Sequence, residues 1–463
     1  MDAEKDQLRV ENERLRARVA ELERTVTKLM EQIDKLRAAL DEARREGKRQ
    51  AAPFRNKGGP KDKPKKPGRK SGEAHGRHAH RQAPPAVDEQ HDVPLPECCP
   101  HCGGEDLQET GVATQYQTEI PRRPIQRQFD IHLGRCRDCG QHVQGRHPLQ
   151  TSDAVGAAAA QLGPEAHAAI TLLNKELGLS HGKVARCLNE LFGISIARGT
   201  SARSVLRTGR RCEPAYQAIR ENVRGSPWVV PDETGWRVDG RSAWLHVFVG
   251  ERATCYDIDP GRGHEVAERL LGFDWSGLMI HDGWSPYDCF TRAQHQQCLA
   301  HLRRRCQELL ETAVGGAVRL PRRVLELTDV ALSVRAEHQA GKLTADELAE
   351  HGLGLASALE ELVQGRFTHE PNRKLAKHVK KHVWRWFWFL FQPGMDATNY
   401  RAEQAIRPAV VNRKVWGGNR TWIGARAQSV LSSVVLTCTQ RRRSAREFLV
   451  QALCSTQPIL LSA

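Results

Sequence analysis

No apolar run in this chain approaches the roughly 18 residues that a bilayer-spanning helix needs, which excludes a helical membrane anchor. The N-terminal stretch is charged and helical in pattern rather than a signal peptide, which excludes secretion by that route. The expectation is a soluble, cytoplasmic, nucleoid-associated protein with no membrane partner. Thirteen cysteines are an odd count in such a chain, which disfavours a disulfide framework and favours reduced thiols or metal ligands. Acid is in short supply as well: 55 Asp and Glu stand against 70 Lys and Arg, for a net charge of +15. That imbalance favours a polyanionic partner, either nucleic acid or an acidic membrane surface. At 463 residues the chain exceeds what one core of roughly 250–300 residues supports, so several domains are expected.

What is present begins with a heptad pattern over residues 5–46. Leu8, Leu15, Leu22, Leu29 and Leu36 occupy d, and Asn12, Val19, Val26, Ile33 and Leu40 occupy a. β-Branched residues at a, Leu at d and one Asn at a specify a parallel two-stranded coil, hence a homodimer. The segment Lys48–Arg81 follows, with twelve Lys or Arg, two acids and interspersed Gly, Pro and His. It cannot fill a core and reads as a disordered basic arm for DNA phosphates.

Cys99-Pro100-His101-Cys102 and Cys136-Arg137-Asp138-Cys139 are two Cys-x-x-Cys knuckles separated by 33 residues. Four thiolates at that spacing suit one structural Zn²⁺, with Cys98 and His101 as adjacent alternative ligands. Residues 163–222 read as helices: one from Pro164 to Leu177, a second from His181 to Phe192 with Ser180 as its cap, and a third from about Thr200. The third carries Arg203, Arg207, Arg210 and Arg211, and the arrangement suits a helix-turn-helix reader of double-stranded DNA. An ordinary helical bundle is the alternative.

From Pro227 the pattern changes to strands. Trp228–Val238 turns at Asp239-Gly240 into Ala243–Val249, a third strand runs through Thr254–Ile258, and helix 264–271 leads to an apolar strand ending at Asp282. Three antiparallel strands, a crossover helix and a fourth strand parallel to the first describe the start of a ribonuclease-H-like sheet. Asp232 and Asp282 then come from neighbouring strands, where their carboxylates can share a cation. Glu233 points to the opposite face by alternation. Phosphodiester chemistry asks for hard cations held by carboxylates, commonly a pair about 4 Å apart. Glu403, on a helix continuing to Arg407, Arg413 and Lys414, supplies a third acid, with those cations suited to DNA phosphates. By spacing alone the three acids are a weak signal.

The residues around them carry more. Pro231-Asp232-Glu233-Thr234-Gly235-Trp236, His281-Asp282-Gly283-Trp284, Cys298-Leu299-Ala300-His301-Leu302-Arg303-Arg304 and Asn399 through Arg407 to Arg413-Lys414 together resemble the transposases of the insertion sequence 66 family. The resemblance extends over the leading coil, the Gly-Arg-Lys linker and the knuckles. Where the family often has Asn-Asn, Asn399 is followed here by Tyr400. The resemblance implies an Asp232, Asp282 and Glu403 triad holding two Mg²⁺ or Mn²⁺ ions. It also implies recognition of transposon ends, cleavage and strand transfer into target DNA, with accessory proteins of the same element as further partners. The expected fold is multidomain α+β: a coil (1–47), basic linker (48–92), zinc module (93–150), helical DNA-binding region (151–222), catalytic core (223–295), helical insertion (296–395), second core segment (396–445) and tail (446–463). His301 beside Arg303 and Arg304 is either a substrate-phosphate contact or an ordinary helix-surface residue, and the aromatic run Trp384 to Phe389 either stacks on DNA bases or packs the insertion against the sheet, the second reading being favoured in each case. A catalytically dead DNA-binding protein and a nuclease without strand transfer remain as rival readings.

Overall fold

A computed structural model describes residues 83–118, 120, 124–156, 161–392 and 394–461, with residues 16, 18, 19, 21, 22 and 32 near the N-terminus. Most of the heptad segment and the whole basic stretch 48–81 lie outside the described residues. The chain divides into two compact units, 1–118 and 119–463. In the first, the described residues 83–118 run without helix or strand around the Cys99–Gly104 turn.

The second unit opens with a short antiparallel hairpin, β1 (Leu133–Arg135) and β2 (His142–Gln144), joined across the second knuckle. Four helices follow. α1 (Pro164–Lys175) starts with Pro at its first turn and ends on Lys175, as its dipole favours. α2 (His181–Phe192) is capped by Ser180 and stops at Gly193 in the left-handed region. α3 (Arg198–Arg211) and α4 (Glu213–Arg224) complete the set. α3 begins slightly before the expected position and carries all four expected arginines.

The sheet follows the alternation read in the sequence. β3 (Trp228–Val238) turns through Asp239 (φ 53°) and Gly240 (φ 72°) into β4 (Arg241–Gly250), the two-residue turn that matches strand twist. β5 (Thr254–Asp259), α5 (His264–Leu271) and β6 (Leu278–His281) come next, and β6 lies parallel beside β3. A fifth strand, β7 (Gln294–Gln297), extends the sheet beyond β6, giving the order β5-β4-β3-β6-β7. The remaining helices are α6 (Leu299–Thr312), α7 (Arg319–Gln339), α8 (Ala345–Val363), α9 (Glu370–Lys381), α10 (Tyr400–Trp416), α11 (Trp422–Gln440) and α12 (Ala445–Cys454).

Alternation along β3 builds two cores. Val230, Trp236 and Val238 join Leu245, Val247 and Ile280 in a core shared with α6 to α10. Val229 joins Phe248 and Met279 in the other, with α1 to α5, α11 and α12. The sheet is thus covered on both faces. Residues 151–222 are not a free-standing reader, because Ile170, Val205 and Tyr216 are buried in the same core as the sheet. Nor are residues beyond 445 a loose tail: α12 buries Phe448, Leu449, Ala452 and Leu453.

One cation is buried in this joint. Lys175 is 6% exposed; its Nζ donates to Gln428 Oε1 at 2.7 Å and lies 5.4 Å from the Trp416 ring centre. Burial pulls its pKa from 10.5 down to about 7. A depressed folded-state pKa gives stability that is complete above 10.5, falls with pH, and reaches its lowest level below about 7. Against Lys175→Met, which has no proton to lose, the wild type is expected to gain stability as pH rises from 7 towards 10. Denaturant unfolding at several pH values measures the gap, and a pH-independent gap would show that the ammonium is not desolvated.

Candidate active site

β3 and β6 pair in parallel with Trp228 opposite Leu278 and Val229 opposite Met279. Continuing that offset brings Asp282 level with Asp232. Asp232 lies on β3 on the face of Val230, where α10 packs, and Asp282 directly follows β6, close enough for its charge to raise the Asp232 pKa. Asp232 is partly buried, and its Oδ1 accepts the Glu233 backbone N–H at 2.9 Å. Burial pushes its pKa from 3.8 up to about 8, and the neighbouring charges of Glu233, Asp282 and Glu403 push the same way. The three predicted acids therefore feel one another, and Asp232 has no cation to offset its charge among the described residues.

The loop after β6 is fixed atom by atom. Asp282 Oδ1 accepts the Trp284 N–H at 2.9 Å, and Gly283 turns the chain at φ 94°. A Cβ at Gly283 would lie 2.7 Å from Gln297 Oε1, so the turn needs glycine. Gly283 N–H donates to His281 Nδ1 at 3.2 Å, His281 Nε2 meets His295 Nδ1 at 3.1 Å, and His295 Nε2 meets the Phe290 carbonyl at 3.0 Å. The carbonyl at one end and the amide at the other assign each imidazole its tautomer, Nε2–H on both rings. Burial keeps both rings neutral by pulling their pKa values down.

Glu403 stands in the first turn of α10, one third exposed, with its N–H bonded to the Asn399 carbonyl at 3.2 Å. Ala402, Ala405 and Ala409 are buried beneath it and let the helix lie close to the sheet. Two anchors set its position. The Tyr256 hydroxyl donates to the Ala405 carbonyl, and Arg413 Nη1 donates to Thr234 Oγ1 at 3.2 Å and to the Gly235 carbonyl. His301, from the first turn of α6, places Nε2 3.9 Å from Glu403 Oε1, and its buried Nδ1 has no partner. Sequence reasoning favoured a helix-surface role for this histidine because Glu403, its neighbour here, lies a hundred residues away. Among the described residues no three His, Cys, Asp or Glu side chains close on a single point as a metal cluster.

Glu233 faces the other way. Its Oε1 accepts Arg262 Nε at 3.1 Å and Nη2 at 2.8 Å, and its Oε2 accepts the Tyr287 hydroxyl at 2.9 Å. The Arg262 guanidinium also lies 3.7 Å from the Trp284 ring centre and 4.4 Å from that of Trp244. This clamp, which pattern alone did not suggest, ties the Asp282 loop to β3.

Of the cations expected to meet DNA, Arg203 and Lys414 are exposed, Arg207 is partly buried, and Arg407 is partly buried with a 3.2 Å bond to Gln404 Oε1. Arg413 is the one whose guanidinium is taken up inside the fold. Within the aromatic run, Trp386, Phe387 and Phe389 are buried core, whereas Trp384 is 48% exposed.

The two knuckles repeat one turn. Cys99 N–H bonds the Gly104 carbonyl and Gly103 N–H the Cys99 carbonyl, both at 2.8 Å; Cys136, Gly140 and Gln141 make the same pair at 2.9 Å. Gly103 and Gly140 have φ of 75° and 69°. Backbone N–H groups of His101 and Cys102 lower the pKa of Cys99, and those of Cys139 and Asp138 lower that of Cys136. Each turn is built to stabilise a thiolate, the form that binds zinc.

A mixed five-stranded sheet between helical layers, with one acid on β3 and another just past the end of its parallel neighbour β6, makes this an α+β protein. The profile of the Transposase IS66 family matches residues 159–427, more than half of the chain, and the chain belongs to that family of DNA-processing enzymes. It is also 24% identical over 388 residues to uncharacterized protein y4hP of Sinorhizobium fredii, covering 74% of this chain and 67% of that one. Among the described residues no helix is long and apolar enough to cross a membrane.

Proposed function

We propose that this transposase cleaves and joins DNA at a ribonuclease-H-like site formed by Asp232, Asp282 and Glu403. The observation that supports the reading is the parallel pairing of β3 with β6 and the charges of Asp282, just past the end of β6, and of Glu403 on α10, both of which raise the pKa of Asp232. Oxygen donors of this kind fit Mg²⁺ or Mn²⁺, and a partly buried carboxylate crowded by two others calls for a cation. Bound there, a pair of such ions supplies positive charge to the phosphate and to the attacking and leaving oxygens.

The chain supplies the rest by holding still. The His281 and His295 relay and the Arg262 clamp fix the Asp282 loop, while Tyr256 and Arg413 fix α10. Water displaces the 3′-oxygen of a phosphodiester at the element end and leaves a free 3′-hydroxyl. That hydroxyl then attacks a target phosphodiester, forming one P–O bond as another breaks. Both are in-line displacements, so a single site serves both. The helical region with Arg203 and Arg207, the basic arm, and Arg407 and Lys414 are assigned to double-stranded DNA. Cys99, Cys102, Cys136 and Cys139 are assigned to one structural Zn²⁺. A supercoiled donor carrying the element's ends, incubated with Mg²⁺ or Mn²⁺ and scored for nicked and joined products, is the test; nicks without joined products would reduce the enzyme to a nuclease.

A parallel homodimer through residues 5–46 belongs to the same proposal. Val19 and Leu22, at a and d, are helical and each 52% exposed in the single chain, which leaves these two apolar side chains open to a second copy. Sedimentation is expected to give twice the chain mass for the full-length protein and a lower association state once residues 1–46 are removed. Equal masses for the two would end the coil reading.

A further inference from the structure

The helical insertion separates its charges. α8 carries Asp346, Glu347, Glu350, Glu360 and Glu361 with no Lys or Arg. α9 and the turn after it have Glu370 as their one acid, and place Arg373, Lys374, Lys377, Lys380, Lys381 and Trp384 on the exposed surface. At 100° per residue Arg373, Lys377 and Lys380 fall on one line, with Lys374 and Lys381 to one side of it, and Trp384 stands exposed in the short turn Val383–Arg385 that follows the helix. Leu375, Ala376 and Val379 bury the opposite side, so the orientation of the stripe is fixed by packing.

This stripe borders the acid site. A Cβ on Gly283, next to Asp282, would meet His378 Cε1 of α9 at 3.6 Å. Lys381 Nζ lies 3.1 Å from Asp288 Oδ2 and Arg385 Nη1 2.5 Å from Asp288 Oδ1, so α9 is pinned to the turn that follows Asp282. Arg305 of α6 is near enough to oppose protonation of His378 and adds to the positive field. Glu370 is matched by Arg373 and Lys374, and Asp288 by Lys381 and Arg385. Lys377 and Lys380 form no ion pair among the described residues.

We propose that the exposed face of α9, centred on Lys377 and Lys380, is a phosphate-binding track for duplex DNA leading to the carboxylates at Asp232 and Asp282. The inference deepens the acid-site reading and rests on it for where the track leads. Residues 373 to 381 of α9 span about 12 Å, along which B-DNA presents roughly seven phosphate charges. Trp384 ends the stripe with a flat apolar surface against which a sugar or an unpaired base can lie. Segregated charge of this kind is not needed for solubility, which mixed signs serve as well.

The test uses full-length protein and a labelled 30-base-pair duplex of arbitrary sequence, with affinity measured over a series of salt concentrations. For Lys377→Ala/Lys380→Ala the slope of log K against log salt is expected to shrink by about 1.8, or 0.9 per lost phosphate contact. Lys342→Ala, an exposed lysine of the same insertion, should leave the slope unchanged. In the donor-plasmid assay the double variant should lose joined product at 0.15 M salt and recover it as salt is lowered. Asp232→Asn should keep the full slope and recover nothing, which separates failure of the track from failure of the acid site. A folded double variant with the wild-type slope, or one whose loss low salt does not relieve, would return α9 to an ordinary solvated helix.

Discussion

Asp232→Asn, Asp282→Asn and Glu403→Gln are each expected to reduce both cleavage and strand transfer by about a thousandfold or more, the effect of removing several kcal/mol of charge stabilisation. Each substitution keeps size and most hydrogen bonding and removes only the anion. Folding and end binding should survive, because neither core depends on these groups. Asp232 allows a second readout free of catalysis. A folded-state pKa raised from 3.8 to about 8 gives stability that is complete below 3.8 and lost as pH rises through 8. Metal-free wild type should therefore weaken between pH 4 and 8 relative to Asp232→Asn, and added Mg²⁺ should narrow that difference. Robust strand transfer by any of the three variants would sink the assignment.

Glu233→Gln is the control that geometry recommends. Its carboxylate is tied to Arg262 and Tyr287 on the far face of β3, so substantial activity should remain. Losing charge-assisted bonds costs roughly 1–3 kcal/mol of stability, and part of that loss should appear as looser positioning of the Trp284 loop. Full inactivation by Glu233→Gln with an active triad variant would exchange the roles of the two acids.

How much of this was legible in the sequence depended on the range of the signal. β3 to β6 could be read because alternation, an Asp-Gly turn and an apolar run ending in acid are local patterns. The same holds for α1 and α2, whose Pro164 and Ser180 mark helix starts. β7 was not legible: Gln-His-Gln-Gln looks like a polar loop, and residue 295 was taken as the end of the core segment. Its burial rests on distant partners, since Gln296 Nε2 donates to the Trp386 carbonyl at 3.0 Å and its Oε1 accepts the Phe389 N–H at 2.9 Å. The Arg262 clamp, His301 beside Glu403, and the capture of Arg413 by Gly235 are likewise products of chain crossing. Each residue type was visible, but its partner lay tens to hundreds of positions away.

Zinc should copurify at one ion per chain, and replacing a single knuckle cysteine should remove it rather than halve it. Two thiolates alone make an incomplete site, and tetrahedral closure needs all four of Cys99, Cys102, Cys136 and Cys139. Because a site of this kind gains its binding energy together with folding, Cys136→Ser should unfold the knuckle module while the sheet and its helices melt separately and nearly unchanged. The expectation rests on the two cores, neither of which includes a knuckle cysteine. In each of the repeated turns backbone N–H groups favour the charged form of the first cysteine, as a zinc ligand needs, and the zinc measurement separates ligation from a redox dithiol. Cys98 and His101 are the alternative ligands, so a full equivalent of zinc retained by Cys102→Ser would overturn the four-cysteine set and put one of them in its place. Elemental analysis of protein purified without chelator decides the point. Absence of zinc there, or a full equivalent retained by Cys136→Ser, would leave the knuckles as reduced thiols in a turn that happens to suit a metal.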